Sequence, residues 1–252
     1  MKKTLFLLAL TYSLGARAQD IVIQFNKNIE MFGYIIEMGD PSENDPSHPI
    51  SIEINKFPED IKNPVLGELF KLGESIDYST LVHLMYRLPE FPHDDGVEYS
   101  EEIIGNTDYD PTLIQSIIEK VNQFSKSAHF DVVWDNLEEQ RAATLEILDA
   151  LKPSKELMNE LEKFYGQSYA QYEIVPSLTL WSGPGFGIRT KEEDKATFVL
   201  GPLEENYDFA SDLFNSLTIH EFGHSFVNHI VVENRKPINE TSELFLEIEQ
   251  SM

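Results

Sequence analysis

Residues 213–232 read LFNSLTIHEFGHSFVNHIVV, and this stretch decides how the whole sequence is interpreted. Its only ionisable side chains are His220, Glu221, His224 and His229, in a chain that is 25% charged. Leu213, Phe214, Leu217, Ile219, Phe222, Phe226, Val227, Ile230 and Val231 surround them. Such a composition predicts a helix buried against the rest of the protein rather than a solvated one. On a helix, His220 and His224 stand one turn apart on the same face. Two imidazoles at that spacing can both reach one tetrahedral zinc ion. Glu221 is rotated by about 100° from His220, which puts its carboxylate beside such a metal rather than on it. From there it can take a proton from a zinc-activated water and pass it to a leaving amine. Burying two His and a Glu without partners is costly, and a shared metal resolves that cost.

The rest of the chain narrows the classes open to this motif. With 252 residues and 41% apolar content, the chain can build one large domain or two small lobes around a proper core. Its 19 Lys and Arg against 44 Asp and Glu give a formal charge of −25. That balance excludes nucleic acid as a partner and disfavours an anionic membrane surface, because both need clustered cations. There is no Cys, so disulfides and thiolate metal sites are excluded, and any metal must be held by His, Asp or Glu. At the start, Lys2 and Lys3 precede a short apolar run at 4–14, and Ala16-Arg17-Ala18 offers a small-x-small cleavage site. This is the pattern of a signal peptide at 1–18, too short for a membrane span. It predicts an exported protein, periplasmic or extracellular, with no stable membrane anchor.

The coarse layout is helical first and sheet-like later. An extended start and an amphipathic segment are expected over 21–38, a long proline-bearing surface loop over 39–60, and helices at 66–72 and 81–88. A second loop at 89–111 precedes helices at 113–124, 132–151 and 157–165. Strands are expected at 172–181 and 196–200, separated by a glycine-rich turn at 183–187. The long motif helix follows over 207–232, and a further amphipathic helix over 241–252 has no C-cap. The fold class is therefore α+β and mainly helical. A signal peptide at 1–18 leads into a helical part at 19–166, and a small mixed sheet with the motif helix fills 167–252, expected to be incomplete at its C-terminus. Residues 197–201 are the expected edge strand, laid along the cleft to pair with an extended peptide.

The motif resembles that of the zinc peptidases built on such a helix. The longer metzincin extension is absent, because Val227 and Ile230 stand where its Gly and His would be. The gluzincin type takes its third ligand from a Glu on a later helix, and Glu243 lies nineteen positions after His224. The string HEFGHSFVN at 220–228 also resembles a family of secreted bacterial proteins, taken to be peptidases and described only as a domain of unknown function. Val199-Leu200-Gly201-Pro202 and Asn26-Lys27-Asn28-Ile29-Glu30 are similar to that family too. The resemblance implies a zincin-like fold and a third ligand beyond Met252. Glu243 and a ligand beyond residue 252 therefore stand as alternatives.

The leading expectation is a secreted zinc-dependent metallopeptidase that acts on a peptide or protein substrate. Its metal is Zn2+, held by His220 and His224, and Glu221 is its general base. The competing expectation is a catalytically incomplete protein that keeps the fold and binds without cleaving. A zinc hydrolase acting on a non-peptide bond is a third.

Overall fold

A computed structural model describes residues 20–39, 45–94, 99, 109–180, 186–190, 194–203 and 208–234. The expected leader at 1–18, the helix at 241–252 and Glu243 lie outside the described residues.

The chain opens with strand β1 (Ile21–Ile23) and helix α1 (Lys27–Glu37). Four short helices follow: α2 (Pro49–Ile54), α3 (Pro58–Ile61), α4 (Pro64–Gly73) and α5 (Tyr78–Arg87). Four more are α6 (Pro111–Ser125), α7 (Phe130–Asn136), α8 (Glu138–Leu151) and α9 (Lys155–Tyr165). Strands β2 (Gln171–Pro176), β3 (Phe186–Thr190) and β4 (Lys195–Leu200) then lead to α10 (Phe214–Glu233), which carries the motif. The protein is α+β and mainly helical, with one mixed sheet of order β1-β2-β4-β3. β1, β2 and β4 run parallel, and β3 pairs antiparallel with β4 at the edge. The sheet draws its first strand from the extreme start of the described chain, so the helical part and the sheet share one framework.

The structure corrects several expected boundaries. Residues 39–60 are not one loop: α2 and α3 form within them. Pro49 and Pro58 sit in the first turn of those helices, as Pro64 and Pro111 do in α4 and α6. The first helical position loses nothing to a missing N–H, so these prolines start helices where they seemed to forbid them. The single helix expected at 132–151 is broken at Leu137, giving α7 and α8. The strand expected over 172–181 ends at Pro176, and the turn expected at 183–187 already belongs to β3 from Phe186 onward. The motif helix begins at Phe214 rather than near 207.

Alternation along β2 sends Tyr172 to one face of the sheet and Glu173 to the other. Tyr172 packs against Phe222 of α10, with ring centroids 5.1 Å apart. Glu173 is buried on the opposite face, where it accepts from Tyr86 of α5 and from Gln24 and pairs with Lys195 at 3.3 Å. The sheet is thus layered between α10 and α5.

Helix α1 is the other fixed point. Asn26 caps it by accepting from the N–H groups of Asn28 and Ile29. The Asn28 amide then donates to the carbonyls of Leu88 and Pro89, both at 2.9 Å, which ties down the end of α5. Glu30 accepts the Leu178 N–H at 2.8 Å and so holds the segment that leaves β2. Gly33 is required opposite that segment, because a Cβ there would lie 2.1 Å from Thr179 Oγ1 and 2.5 Å from the Thr179 carbonyl carbon. A side chain would have to displace backbone, not a flexible side-chain end.

Burial raises the Glu30 carboxyl from 4.5 to about 7, against the opposing bonds from Ser177 and Leu178 and the charge of Arg141. Its folded value lies above its unfolded one. Its contribution to stability is therefore complete below pH 4.5 and lost as pH rises through 7. Glu30→Gln stays neutral throughout. Denaturant unfolding should show the variant gaining on the parent between pH 4.5 and 7, by an amount on the order of 3 kcal/mol. Parallel stability curves across that window would contradict this assignment.

Candidate metal centre

α10 lies on the sheet through its aromatic side. Phe214, Phe222 and Phe226 are fully buried. Phe222 meets Tyr172 and Phe198 edge-on, and Phe226 stacks on Tyr165 with centroids 4.7 Å apart. The opposite side is open: Leu213 is 60% exposed, Ile230 46% and Val231 50%. The helix is buried against the rest of the protein, as expected, but on one face only. The scarcity of charge extends onto the open side, where the His pair stands. His220 is exposed, His224 is half-buried and Glu221 is 5% exposed.

The structure brings His220, Glu221 and His224 together. One potential ligand atom from each lies within 4.8 Å of the others. The two Nε2 atoms face each other at 3.0 Å, with the rings at 89°. His224 Nδ1 lies 3.2 Å from Asn228 Oδ1. An amide oxygen only accepts, so Nδ1 carries the proton and Nε2 presents its lone pair. Two converging imidazole nitrogens either share one proton or share one cation. Their separation is one that two bonds of about 2.0–2.1 Å to a common zinc can span. The donor set therefore fits a zinc ion, with His220 and His224 as the residues to hold it. Among the described residues no other His, Asp or Glu joins this group. Asn228 stands beside the His pair, a residue for which no role was expected. Its signal was legible, since it extends the i, i+4 spacing of the His pair by one more turn.

The strand beside the motif is β3, not the one expected at 197–201. Thr197–Leu200 lie in β4, which is paired on both sides, and β3 forms the edge next to α10. At Gly187 the strand comes so close that a Cβ would sit 2.8 Å from the Glu221 carbonyl oxygen and 3.4 Å from Glu221 Oε2 and His224 Cβ. That approach sets the Gly187 backbone directly against the Glu221 side chain. Burial raises the Glu221 carboxyl above its ordinary range, while His224 and His220 pull it back. The result is a desolvated carboxylate beside two imidazoles. That arrangement suits proton transfer next to a bound cation. Gly187 could not be found from local sequence, because its closeness to Glu221 arises only when β3 meets α10.

Gly187→Ala should force β3 off the helix and lower unfolding stability by about 1–3 kcal/mol. Denaturation midpoints equal to the parent's would contradict so close an approach.

No curated protein and no solved structure matches the chain. A family model described as "Domain of unknown function (DUF4932)" matches residues 97–252, which include β2, β3, β4, α10 and all three members of the His-Glu-His group. The chain belongs to that family, DUF4932.

Proposed function

We propose that this protein is an exported zinc-dependent metallopeptidase of gluzincin type. His220 and His224 hold the metal and Glu221 is the general base. The observation that carries this reading is the convergence of the two Nε2 atoms at 3.0 Å with a buried carboxylate at their side. When bound there, zinc supplies a Lewis acid and lowers the pKa of water to roughly 7. The chain's own residues supply the rest. Asn228 fixes the tautomer of His224. Gly187 brings the β3 backbone against Glu221 and so restricts where its side chain stands. Glu221 accepts a proton from the attacking water and delivers it to the amine nitrogen as the amide C–N bond breaks. The water oxygen stays on the new carboxylate. β3, the edge strand of the sheet among the described residues, is the strand with which an extended peptide would pair. The third ligand is assigned to Glu243 or to a residue beyond 252. Export rests on the leader pattern at 1–18. No helix among the described residues is long and apolar enough to cross a membrane.

A second reading is a catalytically incomplete binding protein that retains the fold. It is favoured by one observation: only two imidazoles and the base carboxylate gather among the described residues.

Glu221→Gln separates the two. The peptidase reading expects metal analysis to find zinc retained, while cleavage of an unfolded protein substrate falls by about 10²–10⁴-fold. Turnover equal to the parent's would reject Glu221 as the base. A parent chain that binds zinc and cleaves nothing would favour the binding protein.

A further inference from the structure

Asp60 and His129 form a second cluster, in the helical part of the chain. The Asp60 side chain is 2% exposed and accepts three hydrogen bonds. They come from the Tyr34 hydroxyl of α1 at 2.6 Å, the His129 backbone N–H at 2.7 Å and His129 Nδ1 at 2.9 Å. A carboxylate accepting from three donors leaves Nδ1 to carry the proton and frees Nε2 for a ligand. The imidazole also stacks on Phe57, with centroids 4.6 Å apart and planes within 7°. Ring position, ring plane and tautomer are thus all fixed from one side.

The other side is open. His129 Nε2 lies 3.6 Å from Glu59 Oε1, between side chains that are 39% and 60% exposed. That gap is too long for a hydrogen bond. Two bonds of about 2.0–2.2 Å to one zinc, opened slightly beyond the tetrahedral angle, span it. An imidazole whose second nitrogen donates to a buried carboxylate is also how proteins fix a histidine ligand and raise its basicity. A cleft of about 470 Å³ runs beside Glu59 and Asp60, so water can reach the pair and complete a coordination sphere.

We infer that His129 and Glu59 form a second zinc site, with Asp60 as the residue that orients the histidine. Among the described residues no third His, Asp or Glu reaches it, so water fills its remaining positions. The site ties α3 to the residue that opens α7 and, through Asp60 and Tyr34, to α1. It is a staple in the helical part, separate from the His220, Glu221 and His224 group, and it does not depend on the peptidase reading.

The test uses the full chain with His220→Ala and His224→Ala, which removes the α10 centre as a zinc binder. Into that background go Glu59→Gln and, separately, His129→Gln. Glu59→Gln changes an exposed carboxylate and leaves the Asp60 bonds in place, so it decides the question even if His129→Gln disturbs folding. Zinc titration followed by calorimetry should find an equivalent bound in the background, weakened about tenfold or more by each substitution. Zinc at ten times its Kd should raise the melting temperature of the background by about 3 °C or more, and the Glu59→Gln chain should lose that shift.

A background chain that takes up no zinc would overturn the inference and leave Glu59 and His129 as an ion pair only. Zinc bound equally well in folded Glu59→Gln would overturn it too, by placing the ion elsewhere.

Discussion

The close approach of β3 to α10 is the constraint on which the site depends. At Gly187 a strand and a helix touch with no room for a Cβ between them. Only that closeness brings the strand backbone against the Glu221 side chain, one residue after His220. The same contact sets how far the Glu221 side chain can swing, and so how it stands to the two imidazoles. Everything behind β3 serves to hold it there. β4 pairs with it, β2 and β1 extend the parallel sheet, and the aromatic face of α10 closes over Tyr172 and Phe198.

The two sides of the sheet carry different chemistry. On the α5 side, buried carboxylates act as fasteners: Glu173 gathers Tyr86, Gln24 and Lys195, and Glu30 holds the backbone at Leu178. Each is satisfied by donors of its own chain, which is what makes such burial tolerable. On the α10 side, Glu221 is buried beside two imidazoles that open toward solvent. A carboxylate so placed is desolvated but not saturated. That difference separates a fastener from a group able to exchange a proton.

Much of this was legible in the sequence. The spacing of His220, Glu221 and His224 put three side chains together on one helix, where they do gather, and the mainly helical order with a late small sheet was readable from periodicity. What escaped was tertiary. Prolines 49 and 58 look like loop markers until each is seen in the first turn of a helix. The expectation puts the edge at 197–201, yet strand order depends on which segments pair, and 186–190 takes the edge instead. Gly187 and Glu221 lie far apart in sequence and meet only where β3 reaches α10. Charge depletion over 213–232 predicted burial, but half of it marks the open wall around the His pair.

The central claim is that His220 and His224 share one metal. The direct measurement is a crystal structure of the zinc-loaded chain with anomalous data collected across the zinc edge. The account predicts a peak about 2.0–2.1 Å from both Nε2 atoms, with the Glu221 carboxylate beside it. A peak bound by Glu221 in place of either imidazole, or no peak between the two rings at saturating zinc, would contradict it.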